Sequence, residues 1–278
     1  MKSPSIQERL AVCTWSLQPS TPEDLVQKIR ETGLFKVQLA LDPLRESPAV
    51  WGETENIFRE NGITAVSGMV SCLGEDYSTL ESIRLTGGIA PDASWEQNRT
   101  NFEESAAIAK KMGLKLVTFH AGFIPEDESH PSFSKMMQRL DEVADIFMSQ
   151  NVLLGLETGQ ETAHELSTLL QKLNHPNIGV NFDPANMILY GKGDPVKALH
   201  TLAPWIRQIH IKDAKKTEVP GTWGSEVAAG SGDVDWKAFL NTFRHVVYNV
   251  NLVMEREQGA SRVEDIRKAR EVVESSIL

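Results

Sequence analysis

Short apolar runs alternate with longer amphipathic runs along the whole chain. The first cycle pairs the run LAVCTW (10–15) with the segment TPEDLVQKIRETG, in which Thr21 is a candidate N-cap, Pro22 takes the first helical position and Gly33 ends the helix. Because later segments repeat this order, the pattern predicts helices between consecutive strands. The predicted strands are 10–15, 35–41, 63–70, 114–120, 152–157, 178–183, 206–212 and 251–257.

The strands are continuously apolar, which is typical of a parallel sheet covered by helices on its outer face. Eight βα units in 278 residues favour a closed (β/α)8 TIM barrel over an open doubly wound sheet. No Pro- or Gly-rich linker divides the chain, so we predict a single domain over residues 1–278. Two connections, 71–95 and 213–234, are long enough to be lids over the barrel.

Composition narrows the class of protein and its partners. The chain is 41% hydrophobic and 24% charged, as expected for a globular protein, and its net charge of −10 disfavours nucleic acid and anionic membranes as partners. The N-terminus lacks the apolar core of a secretory signal, and no run of about 18 apolar residues occurs. Cys13 and Cys72 are isolated thiols in apolar or small-residue surroundings and fit a reducing compartment. We therefore expect a cytoplasmic protein.

Ionisable residues stand at the ends of five consecutive predicted strands. In a TIM barrel the carboxyl ends of the strands carry the active site. Side chains alternate along a strand, so Lys212 shares a face with His210, and Glu257 shares one with Glu255. On the last strand either glutamate could reach the centre. The five residues are His120, Glu157, Asp183, His210 and Glu255.

Three carboxylates meeting in the mouth of a barrel would repel one another unless a cation lies between them. Carboxylate and imidazole ligands without a thiolate suit Mn²⁺, Mg²⁺, Co²⁺ or Zn²⁺, with His210 as a neutral ligand. Taken singly, each residue has a simpler interpretation. A histidine at a strand end is more often a structural group, and Asp183 before Pro184 fits an N-cap.

Five ordered motifs add a resemblance to a known family. The segments LGLETGQE, GVNFDPANM, IHIKDA, GSGDVDW and VMEREQG resemble those of the sugar phosphate isomerase/epimerase superfamily of xylose-isomerase-like TIM barrels, and the match runs from CTWSL (13–17) to the final helix. The resemblance implies one site for Mn²⁺ or Mg²⁺, with Glu255 favoured over Glu257. It also implies that Glu157 and Glu255 exchange a substrate proton. The implied ligands are Glu157, Asp183, His210 and Glu255.

The predicted activity is a metal-dependent sugar isomerase or epimerase that moves a proton α to a carbonyl through an enediolate. His120, Lys212, Asn186 and Trp15 are candidate substrate contacts, and Trp223 and Tyr77 could also stack on a sugar. The alternative is a metal-dependent lyase or dehydratase acting on a keto-sugar, an inosose or a 3-keto-glycoside. A sugar-binding barrel without catalysis is a third hypothesis.

Two departures from the family pattern leave the substrate open. Many relatives have a histidine where Asn186 stands, and several have an arginine after the strand-seven histidine, where only Lys215 and Lys216 occur. The trinuclear zinc cluster of endonuclease-IV-type nucleases needs several more histidines, including one at the position of Asn186 and another beyond the strand-seven histidine, and their absence disfavours DNA repair. The backbone N–H groups of GSGDVDW could bind an anion, so a sugar phosphate stays open, as does assembly into a homo-oligomer.

Overall fold

The computed structural model describes residues 5–125, 127–219, 221–247 and 249–276. Its strands are β1 (Leu10–Cys13), β2 (Lys36–Ala40), β3 (Thr64–Met69), β4 (Leu116–Phe119), β5 (Leu153–Glu157), β6 (Ile178–Phe182), β7 (Ile206–Ile211), β8 (Asp213–Lys215), β9 (Ser225–Val227) and β10 (Asn251–Met254). All strands except β8 and β9 pair in parallel and close into a barrel in the order β1-β2-β3-β4-β5-β6-β7-β10. The predicted TIM barrel is confirmed.

Helices follow the barrel strands, and their apolar faces join the strands in one hydrophobic core. They are α1 (Pro22–Thr32), α2 (Asp42–Glu46), α3 (Pro48–Trp51), α4 (Thr54–Glu60), α5 (Leu80–Thr86), α6 (Asp92–Lys111), α7 (Pro131–Ser149), α8 (Ala163–Leu173), α9 (Pro184–Leu189), α10 (Pro195–Leu202), α11 (Trp236–Val246) and α12 (Arg262–Ser275). Helix α1 begins and ends as its sequence predicts: the Thr21 side chain accepts from the N–H of Asp24, and Gly33 takes a φ of 73°. Among the described residues, no helix is both long and apolar enough to cross a membrane.

Most barrel strands end earlier than the apolar runs suggest. The run 10–15 leaves β1 after Cys13, because residues 14–17 form a 3-10 turn. The same shortening places His120, Asp183 and Glu255 one residue beyond their strands, on the connections that leave the carboxyl end of the barrel.

The two long connections carry structure that the sequence did not predict. Helix α5 lies within the first, capped by a reciprocal pair of hydrogen bonds between Thr79 and Ser82, and α6 begins before this connection ends, at Asp92. The second contains an antiparallel hairpin in which β8 pairs with β9. These short elements lack the extended hydrophobic period by which longer ones are recognised.

Candidate metal centre

Four side chains from neighbouring strands converge at the carboxyl end of the barrel. One ligand atom from each lies within 4.8 Å of the others, and all four side chains are buried. The Nδ1 atom of His210 is at the centre of the group. It lies 3.4 Å from Glu157 Oε1, 3.6 Å from Asp183 Oδ2 and 3.1 Å from Glu255 Oε2.

Three of these buried atoms lack a hydrogen bond within the part of the chain that is described: Asp183 Oδ2, His210 Nδ1 and Glu255 Oε2. Buried polar atoms are nearly always paired, and a buried unpaired charge is costly. An imidazole nitrogen surrounded by carboxylate oxygens is also a donor set that first-row divalent cations accept. The cluster therefore fits a divalent cation.

Asp183 serves both roles that its sequence context suggests. Its Oδ1 accepts from the N–H groups of Ala185 and Asn186, at 2.7 and 2.9 Å, and so caps α9. Its Oδ2 faces the cluster. The helix cap fixes the orientation of the carboxylate and leaves one oxygen free to bind a cation.

A glutamine fixes the ring of His210. The Oε1 atom of Gln38 lies 2.8 Å from His210 Nε2, and it also accepts from Gln208 Nε2 at 2.8 Å. Gln38 Nε2 donates to the carbonyl oxygen of Gly68 at 3.3 Å, and a carbonyl can only accept, so Gln38 Oε1 is the acceptor. His210 Nε2 therefore carries a proton, and Nδ1 is the ring nitrogen that faces the carboxylates. Neither Gln38 nor Gln208 was predicted to belong to the site, although both interrupt apolar strands.

We expect Gln38→Met to lower the affinity for Mn²⁺ by about 10–100-fold, because groups that orient metal-ligating histidines have effects of this size. Calorimetric titration with Mn²⁺ measures the affinity, and long-range ¹H–¹⁵N spectra report the tautomer of His210. Gln27→Met, on the exposed face of α1, is the matched control. Unchanged affinity with an unchanged tautomer would show that Gln38 does not orient the ring.

Cys13 lies closer to the cluster than its apolar sequence context suggests. Its Sγ is 3.8 Å from His210 Nε2 and 3.6 Å from Gln38 Oε1. Burial raises the pKa of this thiol. Cys13 is therefore a neutral thiol on the Nε2 side of the imidazole.

Two predicted substrate contacts also hold the carboxylates. Asn186 Nδ2 donates to Glu157 Oε1 at 2.9 Å, and Trp15 Nε1 donates to Glu255 Oε1 at 2.8 Å. Asn181 Nδ2 donates to the other oxygen of Glu157 at 3.0 Å. These bonds fix both glutamates in the orientation that points into the cluster.

Lys212 brings a positively charged side chain to the site. Its buried Nζ lies 3.1 Å from Glu255 Oε2 and 3.7 Å from Asp183 Oδ2, and it hydrogen-bonds Glu257. Burial lowers the pKa of Lys212, but the charges of Glu255, Glu257 and Asp183 outweigh it and raise the pKa well above its ordinary value. Glu257 therefore pairs with Lys212 at the rim, while Glu255 belongs to the cluster.

His120 lies on the opposite side, with Nε2 3.6 Å from Glu157 Oε1. Burial raises the pKa of Glu157, but the neighbouring His120 and His210 outweigh burial and hold it below the usual value. Glu157 is therefore a carboxylate at neutral pH.

A cavity of about 800 Å³ opens beside the cluster. Its lining includes three of the predicted substrate contacts, His120, Asn186 and Trp15, together with the predicted ligand Glu255. Both long connections contribute to its walls. Residues 71–95 provide Glu75 and Tyr77, and residues 213–234 provide Trp223 and Glu226.

Comparison with known proteins places the barrel in a family. The model of the xylose isomerase-like TIM barrel family matches residues 24–276. The chain belongs to this family. The resemblance inferred from the five motifs is thus confirmed.

Curated relatives match only part of the chain. The uncharacterised Escherichia coli protein YihM is 30% identical over 145 residues, which are 51% of this chain and 44% of YihM. Inosose dehydratase of Geobacillus kaustophilus is 25% identical over 182 residues, 60% of this chain and 47% of that protein. The matched region spans less than half of either relative.

Solved structures match nearly the full length. A xylose isomerase domain protein from Planctomyces limnophilus is 29% identical, with 96% of each chain covered and a TM-score of 0.84. L-ribulose 3-epimerase is 15% identical, with 97% of this chain and 95% of the other covered and a TM-score of 0.72. The second likeness is one of fold alone.

The backbone N–H groups of the GSGDVDW loop bind a carboxylate of the chain itself, that of Asp213. The carboxylate of Asp213 lies inside the loop, and a Cβ added at Gly232 would approach Asp213 Oδ1 to 2.1 Å. The groups that donate to it are the backbone N–H groups of Ala214, Gly230, Gly232 and Val234 and the indole N–H of Trp236. The loop is therefore no support for a sugar phosphate.

Glu161 is a buried carboxyl outside the cluster. Its sequence left open whether it orients Glu157 or begins the next helix, but Thr162 and Glu165 form the capping box of α8, so Glu161 precedes the helix. Burial raises its pKa to about 8, partly offset by the charges of His120 and Lys192. Glu161 is therefore protonated at neutral pH.

Its raised pKa predicts a pH-dependent stability. Between the ordinary value of 4.5 and about 8, the unfolded chain loses a proton that the folded chain keeps, so this group lowers stability as the pH rises through that window. We expect the free energy of unfolding of Glu161→Gln, taken relative to the wild type, to be higher at pH 9 than at pH 5. The expected difference is up to about 1.4 kcal/mol for each unit by which folding raises the pKa of Glu161. Urea unfolding at both pH values measures this, with exposed Glu104→Gln as control. If the stability difference between Glu161→Gln and the wild type is the same at both pH values, the raised pKa of Glu161 is contradicted.

Proposed function

We propose that this protein is a divalent-metal-dependent sugar isomerase or epimerase that moves a proton on the carbon next to a carbonyl. The observation that carries the proposal is the buried cluster of three carboxylates and an imidazole, in which two oxygens and one nitrogen make no hydrogen bond to a described residue. One of the four residues, Glu255, lines the cavity. Membership of the xylose isomerase-like family, whose structural neighbours include sugar epimerases and a dehydratase, supports the same chemistry.

Glu157, Asp183, His210 and Glu255 would hold one cation, with Mn²⁺ or Mg²⁺ preferred and Co²⁺ or Zn²⁺ compatible. When bound, the cation supplies electrostatic stabilisation for negative charge that develops on a carbonyl oxygen. Among the described residues, the one further group of potential ligands is Cys13, His210 and Glu255, which shares two members with the first. This overlap supports a single ion over a trinuclear centre.

The two glutamates are the proton carriers of the proposed reaction. Glu157 takes the proton from carbon at a carboxylate oxygen, and Glu255 returns one to the other face in an epimerisation. Asn186 and Trp15 hold these carboxylates through one oxygen each. Lys212 and His120 bind substrate hydroxyls, and the indole of Trp15 excludes water from one side.

The alternative is a lyase or dehydratase with the same ligands. The 25% identity to an inosose dehydratase over 60% of this chain favours this alternative. The two reactions part after proton removal, because elimination needs a leaving group β to the carbanion. The proposed partner is a small sugar or keto-sugar, and neither nucleic acid nor membrane is proposed as one. The protein itself is proposed to act in the cytoplasm, as a monomer or a homo-oligomer.

Solvent deuterium exchange tests the proposal. The Mn²⁺-loaded protein would be incubated in D₂O with ketoses, inososes and 3-keto-glycosides, and the α-C–H signals followed by NMR. Deuterium in an intact sugar supports the isomerase or epimerase, and release of water or an aglycone supports the lyase. No exchange with any compound, together with no bound metal, would leave the sugar-binding barrel.

A further inference from the structure

Aromatic side chains form part of the cavity lining. We call Tyr77, Tyr190 and Trp223, which all line the cavity, the aromatic wall. The rings of Tyr190 and Trp223 meet edge to face with centroids 4.9 Å apart, and Phe123 packs on Tyr190 at 5.8 Å. Gln160 donates to the Tyr190 hydroxyl at 3.3 Å. The wall is therefore held in place by contacts on several sides.

Helix α9 sets the distance between the wall and the cluster. It begins after its cap Asp183, carries Asn186 in its first turn, ends at Leu189 and is followed by Tyr190. Tyr190 lies seven residues after Asp183, which corresponds to about 10 Å along a helix axis. A sugar ring held at the cluster by Glu157 and Asn186 leaves Tyr190 and Trp223 for a further group, whereas Tyr77 lies beside His120, with ring centroids 6.3 Å apart.

The size and polarity of the cavity indicate what that group is. A volume of about 800 Å³ lies in the upper part of the range for ligands of drug size, roughly 300–1,000 Å³. The indole Nε1 of Trp223 is buried without a hydrogen-bond partner in the described residues, so it is a donor available to a ligand oxygen. Carboxylates elsewhere in the lining disfavour a phosphate. They belong to Asp42, Glu75, Glu226 and Glu257.

We propose that the aromatic wall is a second subsite, which binds a neutral ring attached to the reacting sugar. The substrate class is then a keto-glycoside or keto-disaccharide and not a free monosaccharide or a sugar phosphate. This inference rests on the proposed function, since it takes the cluster as the place of the reacting sugar. Flat ring faces stack on Trp and Tyr, and the Trp223 N–H binds the linking or ring oxygen.

Matched ligand pairs test the subsite. Calorimetry on the Mn²⁺-loaded protein would compare 4-nitrophenyl with methyl glycosides of the gluco, galacto and xylo series, and cellobiose with glucose. We expect the larger partner of at least one pair to bind about tenfold tighter, which corresponds to about 1.4 kcal/mol and lies within the range for aromatic contacts. Trp223→Ala and Tyr190→Leu should remove this preference and leave the affinity for the methyl glycoside unchanged. Phe35 is exposed and absent from the cavity lining, so the control variant Phe35→Ala should keep the preference for the larger ligand.

The outcomes separate the subsite from the reaction. Equal affinities within every pair, or no binding of any aryl glycoside, would overturn the subsite, as would free 4-nitrophenol competing as strongly as the glycoside. Exchange of free ketoses in D₂O that is at least as fast as exchange of every keto-glycoside would overturn the proposed substrate class while leaving the proposed function intact. A wall-dependent preference without any proton exchange would support the subsite and contradict the proposed reaction.

Discussion

Glu157→Gln is expected to reduce solvent deuterium exchange by about 10²–10⁴-fold, because a positioned general base contributes a rate factor of this size. The carboxylate oxygens of Glu157 are oriented by Asn181 and Asn186 and lie next to His120. A glutamine keeps the volume of the side chain but cannot take a proton from carbon. NMR in D₂O with the best substrate measures the loss, and circular dichroism verifies the fold.

A second variant distinguishes a base from a ligand. Asp183→Asn removes a ligand charge but leaves both glutamates in place, so raising the Mn²⁺ concentration should restore part of its exchange. Glu157→Gln should stay inactive at saturating Mn²⁺, and exposed Glu104→Gln should behave as the wild type. If Mn²⁺ rescues Glu157→Gln to wild-type exchange, Glu157 is a ligand and the base is elsewhere.

The convergence of the cluster could be predicted from the sequence because barrel geometry determines it. In a closed parallel barrel the carboxyl ends of all strands meet, so Glu157 on β5 and His210 on β7 lie close together despite their separation in sequence. Alternation along β7 also places Lys212 on the same side as His210, and both contact Glu255. The roles of these residues remain predictions that the exchange experiment tests.

The partners of the cluster could not be predicted in the same way. Trp15 reaches Glu255 because the turn after β1 bends its indole over the mouth, and no periodicity in the sequence encodes that bend. Gln38 interrupts an apolar strand, a pattern equally typical of an irregular strand, and only the register of the barrel brings it to His210. Local pattern therefore predicts the candidate ligands, while the groups that orient them depend on packing across the barrel.

Asp213 shows how one residue can be assigned to the wrong role by its sequence context. It follows Lys212 directly, and this position in the sequence suggests an ion pair with that lysine at the rim. Its carboxylate instead turns to the opposite side and binds the loop that precedes α11. Lys212 consequently pairs with Glu255 and Glu257, and Asp213 anchors the residues just before α11.

Asp213→Asn is expected to lower the free energy of unfolding by about 3–5 kcal/mol, a large effect for one substitution away from the ligand cluster. The buried carboxylate accepts five hydrogen bonds, and an asparagine would lose the charge and turn an NH₂ group toward N–H donors of the loop. Urea unfolding measures the loss, and exposed Asp141→Asn is the control. Hydrogen exchange should also rise first in residues 228–236. A loss no larger than that of the control, with unchanged exchange in the loop, would show that the loop keeps its conformation without the carboxylate.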